Sequence, residues 1–378
     1  MSSPQTNNPP SSDSSSTVRI ALDVMGSDNG PATIVEGGVL VAQEFFPTLQ
    51  IVLVGREDEI KAVLATLSKV PSTVSIVHAD HEILMSDPVA EAIRREGTSV
   101  AVALQLQKSG EVDAFISTGN TGAVMAGSLL TLGRIPGVNR PAISALFPTK
   151  DISHMATVLD VGANVVCKPV NLVQFAALGS AYVSAMNGIE KPTVGLLSIG
   201  EERSKGNELI FESHKMLERS SLNFVGNIEG RDVLSGEIDV VVTDGFTGNI
   251  ILKFAESISP FLTTRIRHQV STNVFSRFGA LLMYPFLRRL RKAFDYAESG
   301  GAPLLGINGV TMICHGTSSP KAIKNGATTV MRMVQNRIVE KTRQLMKEND
   351  LLHIRAQQNV QTPANHEKSS VTEKESVN

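Results

Sequence analysis

The sequence predicts an α/β fold, a mostly parallel sheet covered by helices on both faces, on three observations. Short β-branched runs alternate with helix-compatible stretches from Val18 to about residue 314, as serial strand–helix units do. The composition is aliphatic, with 42% hydrophobic residues and 30 Gly against 4% aromatics and no Trp. That mixture suits a Val/Ile/Leu/Ala interior buried on both sides of a sheet. Five strand runs also end in small polar loops, and open parallel sheets bind ligands beyond the carboxyl ends of their strands.

In order, the first strand is 18–24 (VRIALDV), leaving through Met25-Gly26-Ser27-Asp28-Asn29-Gly30-Pro31 into a helix that opens near Pro31. Strands at 51–54 and 74–78 follow, with helices from about Glu57 and Asp87. The run 112–117 leaves through Thr118-Gly119 into a helix near Asn120, and 156–161 through Gly162-Ala163-Asn164 into one near Lys168. Strand 193–198 precedes a helix near Asn207, and 238–243 precedes one near Asn249. Strand 309–314 leaves through His315-Gly316-Thr317-Ser318-Ser319 into a helix near Pro320. Pro and Asn recur at these openings because Pro needs no N–H at the first helical position and Asn can cap the orphaned ones.

One unit is written twice. Residues 109–125 (SGEVDAFISTGNTGAVM) and 235–251 (SGEIDVVVTDGFTGNII) share a polar turn, a β-branched run and a Gly/Thr/Asn loop. They align at Asp113 and Asp239. Loops of this kind can close backbone N–H groups around an anion, or the glycines can merely make tight turns in a duplicated unit. The backbone of Gly119, Asn120, Thr121 and Gly122, and of Gly245, Thr247 and Gly248, is the candidate anion cradle. Lys205 and Lys253 are candidate counter-charges, and Lys168, Asn164, Asn249 and His315 candidate catalytic groups.

A net charge of −2 gives no reason to expect nucleic acid. Cys167 and Cys314 make no disulfide framework and no zinc spacing, and His78 and His81 stand in loop-like sequence, so no metal is expected. No GxGxxG follows the first strand and no GxxxxGK[ST] occurs, so no cofactor is expected. The Ser/Pro/Asn-rich residues 1–17 and the polar residues 351–378 read as disordered tails around a catalytic domain at 18–350. Lacking an apolar leader or spanning run, the chain is expected in the cytoplasm.

From 257 to 294 there is no acidic residue until Asp295, while Arg265, Arg267, Arg277, Arg288, Arg289, Arg291 and Lys292 are interleaved with Phe, Leu, Val and Met. Such a stretch predicts an inserted helical hairpin facing an anionic lipid surface, an acidic protein or a second copy of the chain.

Taken in order, the strand-exit motifs resemble those of the PlsX family of phosphate acyltransferases. The matching pieces are DVMGSDNGP (23–31), STGNTGA (117–123), LDVGANVVCKP (159–169), IGEERSKGNEL (199–209), VGNIEGRD (225–232), VTDGFTGN (242–249) and GGAPLLGINGV (300–310). Two departures are Gly26-Ser27, where the family usually has two glycines, and a segment near Arg94-Arg95 that the family fills with more Lys. The resemblance implies a three-layer α/β/α sandwich of the isocitrate/isopropylmalate dehydrogenase type. It also implies transfer of a long-chain acyl group from acyl carrier protein to inorganic phosphate, for phospholipid synthesis. A homodimer with peripheral contact to the membrane or to a membrane glycerol-3-phosphate acyltransferase is implied as well. An acyl-CoA-dependent phosphate acyltransferase and a non-enzymatic carrier-binding scaffold are the rival expectations.

Because phosphate is already partly dianionic near neutral pH, it can attack a thioester without a Ser–His pair. The protein must hold the anion and the carbonyl together and stabilise the developing oxyanion. No covalent acyl-enzyme is expected, since neither Cys has an evident activating partner.

Overall fold

A computed structural model describes residues 17–270, 274–293 and 300–348. The tails expected at 1–17 and 351–378 lie outside it, apart from Thr17, as do the side chains of Arg288, Arg289, Arg291 and Lys292.

The chain first forms β1 (Val18–Asp23), α1 (Pro31–Glu44), β2 (Leu49–Gly55), α2 (Glu57–Leu64), β3 (Val74–His78), α3 (Val89–Ala92), α4 (Ser99–Ser109), β4 (Ala114–Ser117) and α5 (Thr121–Leu132). A second half follows with β5 (Ala142–Pro148), β6 (Met155–Leu159), α6 (Pro169–Asn187), β7 (Thr193–Leu197), α7 (Glu208–Leu217), β8 (Asn223–Ile228), β9 (Val240–Val242), α8 (Gly245–Val270) and α9 (Val274–Ala293). The chain then returns to the first half with β10 (Ala302–Leu305), β11 (Val310–Ile313), α10 (Pro320–Gln335) and α11 (Ile338–Glu348).

All the strands join one sheet in the order β3-β2-β1-β4-β11-β10-β5-β6-β9-β7-β8. Alternate residues of β1 point to opposite faces and both sets are buried. Ile20 and Leu22 join one apolar cluster, and Ala21 joins the other. Helices α1, α6, α10 and α11 cover the first cluster, and α4 and α5 cover the second. Helix α6 is apolar around nearly its whole circumference and buried from Val170 to Tyr182 without a break, as a helix enclosed by protein must be. This is the three-layer α/β/α arrangement.

The sheet is two parallel blocks, β3-β2-β1-β4-β11 and β6-β9-β7-β8, joined by β10 and β5. Three successive antiparallel joints, β11/β10, β10/β5 and β5/β6, make the blocks run in opposite directions. Strand β5 is shared unequally. Its Ala142 and Ile143 pair with β10, whereas Ser144 to Pro148 pair with β6. The blocks therefore overlap at the middle of β5, and the carboxyl ends of both fall level with residues 143–145. This step in the sheet brings exits from two oppositely directed blocks to one place.

Several elements differ from expectation. Strands β5 and β10 were not predicted, because AISALFP and APLL are short, Ala/Pro-rich and lie in antiparallel joints rather than in parallel runs. Strand β8 was obscured by Gly226, which adopts a φ of 111° at a register shift against Val194/Gly195. Near Asp87 only the short α3 forms, and the substantial helix is α4, capped by the Thr98 hydroxyl. Helix α8 starts at Gly245 rather than Asn249, so the expected hairpin boundary at 257 falls inside one continuous helix.

Candidate functional site

The two copies of the repeated unit are β4–α5 and β9–α8, and the repeat extends to side-chain roles. The Asp113 carboxylate accepts the backbone N–H of Arg19 at the start of β1 (2.8 Å), and that of Asp239 accepts the N–H of Thr193 at the start of β7 (2.7 Å). Each carboxylate thus ties the foot of its own strand to a neighbour in the parallel block. Beyond the strands the copies diverge, because the helix starts are capped differently.

In copy one, Asn120 caps α5. Its Oδ1 accepts the Ala123 N–H (3.1 Å) and its amide donates to the Leu84, Met85 and Asp87 carbonyls. The Gly119 N–H donates to Ser117 Oγ (3.0 Å), while the helix-opening N–H groups of Thr121 and Gly122 have no protein acceptor among the described residues. In copy two the helix begins two residues earlier in register, and Asp244, the counterpart of Thr118, caps it. Its carboxylate accepts both the Thr247 N–H (2.9 Å) and the Thr247 hydroxyl (2.8 Å). The Gly248 N–H goes to the Asp244 carbonyl and the Gly245 N–H to the Asn164 carbonyl. An internal carboxylate therefore occupies the positive end of α8, where it is favoured by the helix dipole. This corrects the anion-cradle expectation for Gly245, Thr247 and Gly248, whose donors are already committed.

The glycines of copy two serve close packing instead. A Cβ on Gly248 would lie 1.9 Å from the Asp160 carbonyl oxygen, and one on Gly245 would lie 2.7 Å from the Asn164 backbone. In copy one, a Cβ on Gly122 would meet Val89 Cγ2 at 2.8 Å.

Two buried carboxylates shape the loops. Asp23, ending β1, accepts the Met25 N–H and the Ser117 hydroxyl (2.6 Å), which joins the β1 exit to the β4 exit. Asp160, just after β6, accepts backbone N–H groups from Ile143, Gly162, Ala163 and Asn164, and the Asn164 amide as well. Burial pushes both carboxyls above their usual range, against the pull of these donors. Asn164 itself is buried, its amide donors committed to Pro141 and Asp160, so it holds the loop and is not placed for a substrate.

Between the blocks is a cleft of about 370 Å³. From block one it is reached by Asp28, Gly119, Thr121, His315 and Gly316, and from block two by Gly162, Asn249, Lys253 and Glu256. Lys253 pairs with Glu256 at 2.8 Å, and His315 Nδ1 sits 2.8 Å from the Thr317 hydroxyl. The β1 exit is fastened to the β11 exit by the Asp28 N–H and the Ser27 hydroxyl, both donating to the Gly316 carbonyl. The floor is apolar, made by Ile143, Ala145 and Leu146 of β5 with Val161, Leu252 and Ile313.

Five predicted residues thus share the cleft: Gly119, Thr121, Asn249, Lys253 and His315. The other eight do not line it: Asn120, Gly122, Asn164, Gly245, Thr247 and Gly248 lie in the loops and helix starts already described, and Lys168 and Lys205 stand apart. Lys168 is exposed at the start of α6, where its N–H donates to Asn171 Oδ1, and Lys205 is exposed in the loop after β7. Sequence reasoning missed Glu256 and Asp28 as cleft residues, though Asp28 stands in a motif already singled out. It missed Ala145 and Leu146 entirely, because the strand carrying them was not predicted.

Neither thiol is poised as a nucleophile. Burial pushes Cys167 up to about 11 and Cys314 up to about 12. Among the described residues no group of three His, Cys, Asp or Glu side chains could hold a metal ion, and no helix is long and apolar enough to cross a membrane.

A sequence profile described as "Fatty acid synthesis protein" matches residues 18–341. A phosphate acyltransferase of Heliobacterium modesticaldum is 47% identical over 324 residues, which cover 85% of this chain and 96% of that protein. Among solved structures, a phosphotransacetylase from Streptococcus pyogenes is similar with a TM-score of 0.57 at 15% identity, over 88% of this chain and 94% of its own. A 4-hydroxythreonine-4-phosphate dehydrogenase from Klebsiella pneumoniae gives a TM-score of 0.50 at 12% identity, over 85% and 100% of the two chains. At these identities the two structures attest the fold.

Proposed function

The chain belongs to the PlsX family of phosphate acyltransferases, and we propose on that footing that its acyl donor is a long-chain fatty acyl thioester of acyl carrier protein. The observation that carries the reading is the asymmetry of the duplicated helix starts across the cleft. The α5 start has N–H groups without an internal acceptor, whereas Asp244 closes the α8 start. Inorganic phosphate sits at the Thr121 and Gly122 N–H groups at the start of α5, held by them and by the helix dipole, with Gly119 beside it.

A phosphate oxygen attacks the thioester carbonyl carbon directly. As the C–O bond forms, charge builds on the carbonyl oxygen, facing the Asn249 amide and the Lys253 ammonium from the opposite wall. The C–S bond then breaks, and the carrier thiol leaves as a thiolate, which takes a proton from solvent. His315, on the block-one rim, orients the phosphate. With the Cys167 and Cys314 thiols held well above neutral, no acyl group resides on the protein. The acyl phosphate serves phospholipid synthesis. The chain works as a cytoplasmic homodimer, with the basic arm carrying Arg265 and Arg267 turned to the carrier protein or to the membrane.

The test is purified protein with palmitoyl-carrier protein and labelled phosphate. A hydroxylamine-sensitive acyl phosphate and stoichiometric free carrier are expected, with no labile acyl group on the protein. Turnover of palmitoyl-CoA alone would overturn the donor assignment. Hydroxylamine-labile acyl-protein would overturn the direct attack.

A further inference from the structure

We infer that the floor of the cleft is a subsite for the first few carbons of the acyl chain and that Ala145 sets how much chain enters it. The inference rests on the acyl-transfer reading above and adds where the alkyl group lies. It starts from the step in the sheet. Past Ile143 the β5–β10 ladder ends, although the Ser144 hydroxyl still reaches the Pro303 carbonyl, and Ala145 and Leu146, paired on one side with β6, line the cleft on the other. Val161 from the β6 exit, Leu252 of α8 and Ile313 at the end of β11 complete a floor without charged groups. Asp28, His315, Lys253 and Glu256 stand at the rim.

An enclosed apolar floor beneath a polar rim suits a ligand whose reacting end is charged and whose other end is hydrocarbon. At about 30 Å³ per water-sized group, 370 Å³ accommodates about a dozen non-hydrogen atoms. A phosphate and a thioester leave room for roughly four carbons, and the rest of a long chain passes beyond the mouth. The room exists because small residues stand where strands usually carry large ones. Ala145 lies beside Leu146 on β5, and Ala302 opens the neighbouring β10. A branched side chain at either position would take up the volume of two or three methylenes.

The experiment compares the wild type with A145V, A145L and A302V, each checked by thermal melting for a folded state. The ratio of kcat/KM for palmitoyl-carrier to that for acetyl-carrier is measured, together with direct binding of radiolabelled palmitate. Each buried methylene contributes about fourfold (about 0.8 kcal/mol). The ratio should therefore fall by roughly tenfold in A145V and roughly fiftyfold in A145L, with A302V near the former and palmitate binding weakened in step. Leu130→Ala, at an exposed site on α5, should leave the ratio unchanged. Unchanged ratio and palmitate binding in folded A145L and A302V would overturn the subsite. If the wild type turned over no thioester while palmitate binding still fell in A145L, the function reading would fail and the subsite would stand.

Discussion

Gly248 and Gly122 occupy equivalent places in the duplicated unit yet face different neighbours, and that difference predicts different costs. A methyl group on Gly248 would collide with the Asp160 carbonyl, backbone that the five hydrogen bonds to the Asp160 carboxylate hold in place. On Gly122 it would meet the tip of a Val89 side chain, which can shift. Gly248→Ala is expected to lose about 3 kcal/mol or fail to fold, and Gly122→Ala about 1 kcal/mol. Urea unfolding of the two variants measures this directly, and equal losses would contradict the packing assigned to the α8 start. The sequence showed that glycines stand in both loops, but it could not show what each approaches. A glycine that admits an anion and one that admits a carbonyl are the same letter, and the neighbour comes from residues far away in the chain.

Helix starts decide which of the repeated loops can take an anion. Asn120 uses its whole side chain, Oδ1 on the α5 start and the amide on the carbonyls of residues 84, 85 and 87, so it fixes the helix and the adjoining loop together. Asn120→Ala should cost about 1 kcal/mol for the lost cap. It should also raise the KM for phosphate more than it lowers kcat, because the donors remain but their aim loosens. Steady-state kinetics with phosphate varied will test this, and an unchanged KM would remove phosphate from the α5 start. The helices that begin at Pro31, Glu57 and Pro320 were legible from local residues, since Pro, acidic and capping residues act within one turn. The start of α8 was not legible, because an Asp at a strand exit caps a helix only where the chain turns back onto it, as the Asp244 bonds to Thr247 require.

At the scale of the molecule, one arm stands apart from the sandwich. In α8 the described side chains are buried at Gly245 and Gly248, while Phe246, Ile250, Phe254, Phe261, Leu262 and Ile266 are exposed. Helix α9 continues with exposed Phe275, Phe278, Leu281 and Leu282. An exposed apolar surface of that extent is what an interaction face requires, and the arm is accordingly the proposed contact for carrier or membrane. Reversing charge at Arg265 and Arg267 should lower kcat/KM for acyl-carrier protein, binding to anionic vesicles, or both, by roughly tenfold at low salt. The deficit should shrink as salt screens it. Carrier kinetics and vesicle sedimentation, each across a salt series, measure the two; no change in either would free the arm of both roles.

The alternation of β-branched runs and capped helices from 18 to 320 determined an α/β sheet with small polar strand exits, because periodicity and capping are local physics. The repeat at Asp113 and Asp239 even carried a matching hydrogen-bond role. What only the tertiary structure decided is how those exits meet. The blocks run in opposite directions, and β5 offers Ala142 and Ile143 to one neighbour and Ser144 to Pro148 to the other. That offset turns scattered loops into one cleft and excludes Lys168 and Lys205 from its lining. It rests on pairings between residues up to 163 positions apart, as between Ala142 and Leu305 and between Ile143 and Leu304, which no local pattern in the chain encodes.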